Sequence, residues 1–229
     1  MGDADIFRRV PSLNSRLFVF DLDGTLVDSR RDIADAANAL LVSCGAAPIP
    51  EERIGGMVGE GAATLVARAF TASGVERPAD ALSRYLAFYH ERLLNHTRPY
   101  EGISAVLEAL GSRASLAVLT NKPLASTRRI LDGLDLARHF PSGAVLGGDG
   151  PFARKPDPAA LLHLVDRARV TAGATVMVGD SAIDWRTARA AGTRVCLARY
   201  GFGFDSVPLH ELAPGERVIA APIELLSLS

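Results

Sequence analysis

The chain has 229 residues, 48% hydrophobic and 22% charged, with 25 Lys or Arg against 26 Asp or Glu and a formal net charge of −1. That is enough chain for one large domain or one domain with an insertion, and the even charge balance argues against a general nucleic-acid or membrane-surface binder. Cys44 and Cys196 make no disulfide framework, no apolar run is long enough to span a bilayer, and Met1–Ser15 carries acids without an apolar signal core, so a soluble cytoplasmic protein is expected.

Residues 1–16 read as a loosely ordered extension. Leu17–Asp21 is a short apolar, aromatic and β-branched run bounded by turn residues, the pattern of a buried strand in a parallel sheet. From Ser29 the period becomes helical: Ile33, Ala36, Ala37, Leu40, Leu41 and Cys44 recur at spacings of three and four, and Gly45 ends the run. Two more helices are predicted, Glu60–Ser73 and Pro78–His96. A strand-to-helix crossover does not need this much helical chain, so 29–97 reads as a helical insertion, or cap.

After Arg98-Pro99-Tyr100-Glu101-Gly102 helix and strand alternate again. The predicted elements are a helix at Ile103–Leu110, a strand at Leu116–Leu119 and a helix from Pro123, as its first residue, to Leu134. A strand at Ala144–Leu146 follows, then a helix N-capped by Asp157 and running to Ala168. The last elements are a strand at Val176–Gly179, a helix containing Asp184 in its first turn, a strand at Arg194–Ala198, a loop-rich stretch and a short helical tail, Ile223–Leu228. The expected fold is α/β: a Rossmann-like parallel sheet (17–28 and 98–229) with helices on both faces and the all-helical cap inserted.

The stretch around Asp21-Leu22-Asp23-Gly24-Thr25 organises the chain. Asp-x-Asp-Gly could be a plain turn. It is not a calcium loop, because position 4 from Asp21 is already Gly24 and position 12 is Asp32. Three other strand ends also carry polar groups: Thr120-Asn121, Lys155 beyond the third strand, and Asp180 with Asp184. In a parallel sheet these ends share one edge, where ligands bind. Three or four acids there can hold one Mg²⁺, Thr120 and the amides opening its helix can take phosphate oxygens, and Lys155 can offset the remaining negative charge. Each piece alone has a structural explanation, but such explanations account poorly for the four together in this order. The base usage adds weight: of 25 basic residues only Lys122 and Lys155 are lysines. A chain that uses Arg nearly everywhere keeps Lys where a compact ammonium is needed. Lys122 is expected nearer the rim of the site than Lys155.

The order Asp-x-Asp-Gly-Thr, Thr-Asn-Lys-Pro, Arg-Lys-Pro-Asp-Pro and Val-Gly-Asp-Ser-x-x-Asp resembles the haloacid dehalogenase superfamily, over about Leu17 to Gly203, and within it the phosphatases. The resemblance implies a nucleophilic Asp21 and an acid/base Asp23. It implies Mg²⁺ held by Asp21, the Asp23 carbonyl and Asp180, with Asp184 in support. Phosphate would be bound by Thr120, and Lys155 would hold nucleophile and phosphate together. An acid at Asp23 favours phosphoryl chemistry, since an alkoxide leaving group needs a proton and a halide does not. Val58-Gly59-Glu60-Gly61, His96–Tyr100, Thr120–Pro123, Gly147-Gly148-Asp149 and Tyr200-Gly201 look similar to phosphoglycolate phosphatases. On that likeness a small phosphorylated metabolite is the partner, Leu22, Thr120, Asn121, Lys122 and Glu60 join the substrate site, and Arg53 or Arg68 of the lysine-free cap meets a substrate carboxylate. The alternatives are a phosphosugar mutase, a sugar-phosphate phosphatase or a pyrophosphatase of the same architecture, and, from another class, a non-catalytic phospholigand-binding protein.

Overall fold

The computed structural model describes residues 16–228, so the expected N-terminal extension lies almost wholly outside the described residues. The chain begins with strand β1 (Leu17–Phe20) and the two-residue β2 (Val27–Asp28). Helices α1 (Arg30–Ser43), α2 (Glu51–Gly55), α3 (Ala62–Ser73) and α4 (Ala81–Arg92) follow. Then come β3 (Arg98–Pro99), α5 (Ile103–Gly111), β4 (Ser115–Leu119), α6 (Leu124–Gly133) and β5 (Val145–Leu146). The chain continues through α7 (Ala159–Ala168), β6 (Thr175–Gly179), α8 (Ala182–Ala191), β7 (Arg194–Ala198) and β8 (Arg217–Ile219).

Six strands form one parallel sheet in the order β5-β4-β1-β6-β7-β8. Side chains alternate across a strand, and this alternation divides the core in two. Phe18, Phe20, Leu116, Val118, Val176 and Val178 face one layer, with Ile103, Val106, Leu107 and Leu110 of α5. Leu17, Val19, Ala117, Leu119, Met177, Val195 and Leu197 face the other, with Leu161 and Leu164 of α7 and Trp185 and Ala188 of α8. Covered on both faces, β1 carries no polar residue from Leu17 to Phe20. No helix among the described residues is long and apolar enough to cross a membrane.

Several elements differ from expectation. Asp157 is not the N-cap of α7; Pro158 is, and the Asp157 carboxylate accepts the Ala159 N–H at 2.8 Å from one residue earlier. Pro123 likewise precedes α6 as its N-cap. Helix α2, the β2–β3 pair and β8 are additions, each two to five residues long and too short to carry a period. β2 and β3 pair antiparallel, Val27 with Pro99 and Asp28 with Arg98, so the two connections flanking α1–α4 lie side by side.

A buried carboxylate fastens this junction. Asp32, fully buried in the first turn of α1, accepts the His96 N–H at 3.0 Å, the Thr97 N–H at 2.8 Å and the Thr97 hydroxyl at 2.7 Å. Asp32→Ala strands these donors without an acceptor, and should lower unfolding free energy by about 2–4 kcal/mol in a urea titration. A change under about 0.5 kcal/mol, the level of ordinary surface substitutions, would contradict that role.

Candidate active site

Each strand that ends at the site hands its first loop residue to the same edge. The ladder runs one step past β1, where the Asp21 N–H donates to Val178 O at 2.8 Å, and one past β4, where the Thr120 N–H donates to Leu146 O at 3.1 Å. Asp180 follows β6 directly. Ser181 caps α8 through a reciprocal box with Asp184, which turns the Asp184 carboxylate back toward the sheet edge. At Gly24 the backbone has φ +83° and passes so close to Asp180 that a Cβ would overlap its carboxylate. Gly201 meets the same limit against the Gly24 carbonyl.

Lys155 sits at the centre. Its side chain is 2% exposed, and its Nζ donates to Asp184 Oδ1 at 2.6 Å and to Asp21 Oδ1 at 2.9 Å. Burial works to lower its pKa, but the paired Asp184 and Asp21 outweigh burial and push it upward. Asn121 fixes the lysine's backbone from both sides: the Lys155 N–H donates to Asn121 Oδ1, and Asn121 Nδ2 donates to Lys155 O, each at 2.9 Å. The same Nδ2 donates to Gly59 O at 2.8 Å. The Asn121 side chain is therefore engaged by protein at both ends, and only its backbone remains to meet a ligand.

Asp21, Asp180 and Asp184 place carboxylate oxygens within 4.8 Å of one another. Burial pushes Asp21 up to about 6 while the Lys155 ammonium pulls it down; burial and then the neighbouring Asp184 and Asp21 hold Asp180 well above the usual carboxylate range. Asp184 spends Oδ1 on Lys155 and Oδ2 on Ser181, whereas among the described residues Asp180 receives only the Gly203 N–H at 2.7 Å. Three buried acids against one ammonium leave an excess of negative charge and free hard oxygens on Asp21 and Asp180. That donor set suits a divalent cation such as Mg²⁺.

Lys122 departs from expectation. It is buried rather than at the rim, and its Nζ donates to Asp23 Oδ1 at 2.8 Å and Oδ2 at 2.7 Å. The same ammonium lies 4.7 Å from the ring centroid of Tyr89 on α4. Ser29, also buried, donates to Asp23 Oδ1. Both lysines of the chain thus pair with acids of the site. Thr120 is buried, and its Oγ1 accepts the Lys122 N–H at 3.2 Å. The backbone N–H groups of Leu22, Asp23 and Asn121 have no protein acceptor among the described residues. The Leu22 side chain itself is fully buried in the core, which leaves that residue only its N–H for a ligand.

A cleft of about 660 Å³, open mouth included, joins these groups to the α1–α4 layer. Asp21, Asp23, Thr120, Asn121, Lys122 and Asp180 line its floor; Val58, Leu65, Tyr85, Leu86 and Tyr89 line its roof. Arg53, Glu60 and Arg68 do not line it. Arg68 is turned into an ion pair with Glu60 and donates to Met57 O at 3.2 Å, and Arg53 is exposed. Neither cap arginine lines the cleft in this structure, and the Arg68 head is engaged on its own surface by Glu60 and the Met57 carbonyl. Sequence reasoning did not single out Ser29, Ser181, Gly203, Tyr85 or Tyr89. Tyr85 and Tyr89 fall at helical spacing within Pro78–His96, and spacing alone cannot separate a core wall from a cleft wall.

This α/β sandwich, with acids and a lysine gathered at the carboxyl ends of its strands, is the architecture of a hydrolase acting at that edge. The family model for haloacid dehalogenase-like hydrolases matches residues 18–198, and the chain belongs to that family. Over 198 residues it is 45% identical to a phosphoglycolate phosphatase of Rhodospirillum rubrum, covering 82% of this chain and 81% of that protein. It is 36% identical to phosphoglycolate phosphatase 1 of Pseudomonas aeruginosa, covering 87% and 74%. Among solved structures, a predicted phosphoglycolate phosphatase from Haemophilus somnus superposes with a TM-score of 0.86 at 29% identity, over 95% of this chain and 99% of that one.

Proposed function

We propose that the protein is a metal-dependent phosphomonoester hydrolase whose substrate is 2-phosphoglycolate. The observation that carries this reading is the Asp21–Lys155–Asp184 chain beside Asp180, with Asp23 in the same cleft. The 45% identity to a curated phosphoglycolate phosphatase supports the substrate.

In this reading an Asp21 carboxylate oxygen attacks phosphorus as the ester P–O bond breaks. Asp23 gives its proton to the departing alkoxide, so glycolate leaves as the alcohol. Asp23 then takes a proton from water, whose oxygen attacks the phosphorus of the aspartyl-phosphate and restores the Asp21 carboxylate with release of phosphate. The free N–H groups of Leu22, Asp23 and Asn121, with the Thr120 hydroxyl, hold the phosphoryl oxygens. Lys155 keeps Asp21 oriented and shares the charge of the phosphoryl group. Asp21, Asp180 and the Asp23 carbonyl would hold Mg²⁺, with Asp184 acting through Lys155. The ion supplies charge neutralisation between carboxylates and phosphate.

Exhaustive chelation should reduce phosphate release to background, and added Mg²⁺ should restore it; full activity of the chelated protein would remove the metal from this account. The substrate is tested by kcat/KM on a panel of 2-phosphoglycolate, β-glucose 1-phosphate and pyrophosphate. The first should lead, and a much larger value for either of the others would overturn the assignment.

A further inference from the structure

We propose that Lys122, set against the Tyr85–Tyr89 wall, receives the carboxylate of the substrate and restricts the enzyme to acids with one carbon between phosphate ester and carboxylate. This deepens the phosphoglycolate reading and rests on it. Among the residues lining the cleft, Lys122 is the one with a cationic side chain; no Arg or His lines it. The arginines first expected to do this lie outside the cleft, Arg68 bound to Glu60. An ammonium has three donors. Asp23 takes two of those of Lys122, which leaves one for a ligand, and the ammonium lies 4.7 Å from the centroid of the Tyr89 ring.

Reach then sets the substrate length. Asp23 must lie against the ester oxygen that it protonates, so a cation bonded to Asp23 is one hydrogen bond farther on. In phosphoglycolate a single methylene separates ester oxygen and carboxylate carbon, so the carboxylate oxygens lie roughly 3 Å from the leaving oxygen. That matches the position of Lys122 without displacing it. A longer acid would carry its charge past the ammonium into the apolar roof of Leu65, Leu86 and Val58. Tyr85 and Tyr89 stack with ring centroids 5.8 Å apart and bound this space, and the buried Tyr89 hydroxyl has no hydrogen-bond partner among the described residues.

The test compares kcat/KM for 2-phosphoglycolate with that for ethyl phosphate, which has the same two-carbon chain but no carboxylate on its tail. Wild type should favour the acid by on the order of 100-fold. Lys122→Met should slow both esters, since Asp23 loses its partner, but should also reduce the preference by about 10–100-fold. Lys122→Arg, which keeps a cation, should retain part of it. Equal losses on both esters in Lys122→Met would show that Lys122 acts only through Asp23 and would overturn the proposal. Should that variant not fold, wild type still decides through the phosphate ester of 3-hydroxypropanoate. This homologue should lose most of the advantage, and if it keeps that advantage the proposal fails. A wild type with no preference for 2-phosphoglycolate over ethyl phosphate instead refutes the substrate assignment itself.

Discussion

Asp21→Asn should lower kcat for phosphate release by on the order of 10⁴-fold or more, because an amide is a poor nucleophile at phosphorus and no other side chain can take its place. Asp184 is fully buried and spends both oxygens on Lys155 and Ser181; Asp180 is held by the Gly203 N–H. Asp23 is clamped by Lys122 and Ser29. The variant should still fold. Burial raises Asp21 to about 6 despite the opposing pull of Lys155, above its ordinary value of 3.8. A raised carboxyl pKa means that its charge costs folding free energy increasingly as pH climbs through that interval and fully above it. The neutral, isosteric amide removes this cost. Metal-free Asp21→Asn should thus melt no lower than metal-free wild type at pH 7.5. Substantial turnover by a clean preparation would contradict the nucleophile assignment, and a melting point well below wild type would contradict the electrostatic argument.

The second large effect belongs to Lys155. Removing it, as in Lys155→Ala, leaves Asp184, Asp21 and Asp180 buried together with no cation. Breaking a buried pair by deleting one partner typically costs 3–5 kcal/mol, so both stability and turnover should fall steeply. Lys155→Arg is the sharper test, since it keeps the charge. The site holds one compact ammonium between two oxygens at 2.6 and 2.9 Å, with the side chain 2% exposed and its backbone pinned by Asn121. A planar guanidinium cannot occupy that point without moving Asp21, and misplacement by about 1 Å can cost on the order of 100-fold in rate. A loss of kcat/KM of that size or larger is expected, with a smaller loss of stability than for alanine. Near-wild-type activity of Lys155→Arg would show that the lysine's shape does not matter. Lys122, expected nearer the rim, is buried and bonded to both oxygens of Asp23, so it should also resist replacement by arginine.

Much of this was legible because two signals are strong in a parallel sheet. Buried strands read as unbroken apolar runs, and an acid, threonine or lysine just past such a run falls on the shared edge. Asp21, Thr120, Asp180 and Asp184 were placed that way. The scarcity of lysine was a second signal, since both lysines proved buried and paired. What sequence hid is direction and reach. Lys122 follows Thr120 by two residues, yet whether it turns outward or back onto Asp23 depends on how the loop before α6 folds. The Asn121 side chain binds the Lys155 backbone, a contact between residues 34 positions apart, and leaves only the Asn121 backbone for a ligand. Arg68 looked free in a cap without lysines, and its bond to Glu60 becomes visible only when the turn before α3 is built. The β2–β3 pair has two residues per strand and no period to detect.

The stereochemical course at phosphorus tests the central claim most directly, with a phosphate ester made chiral by oxygen isotopes as substrate. Attack by Asp21 followed by attack by water is two in-line displacements, each inverting the centre, so the account predicts net retention. Net inversion would mean that water attacks the substrate directly, and would contradict a covalent intermediate on Asp21 whatever the variants show.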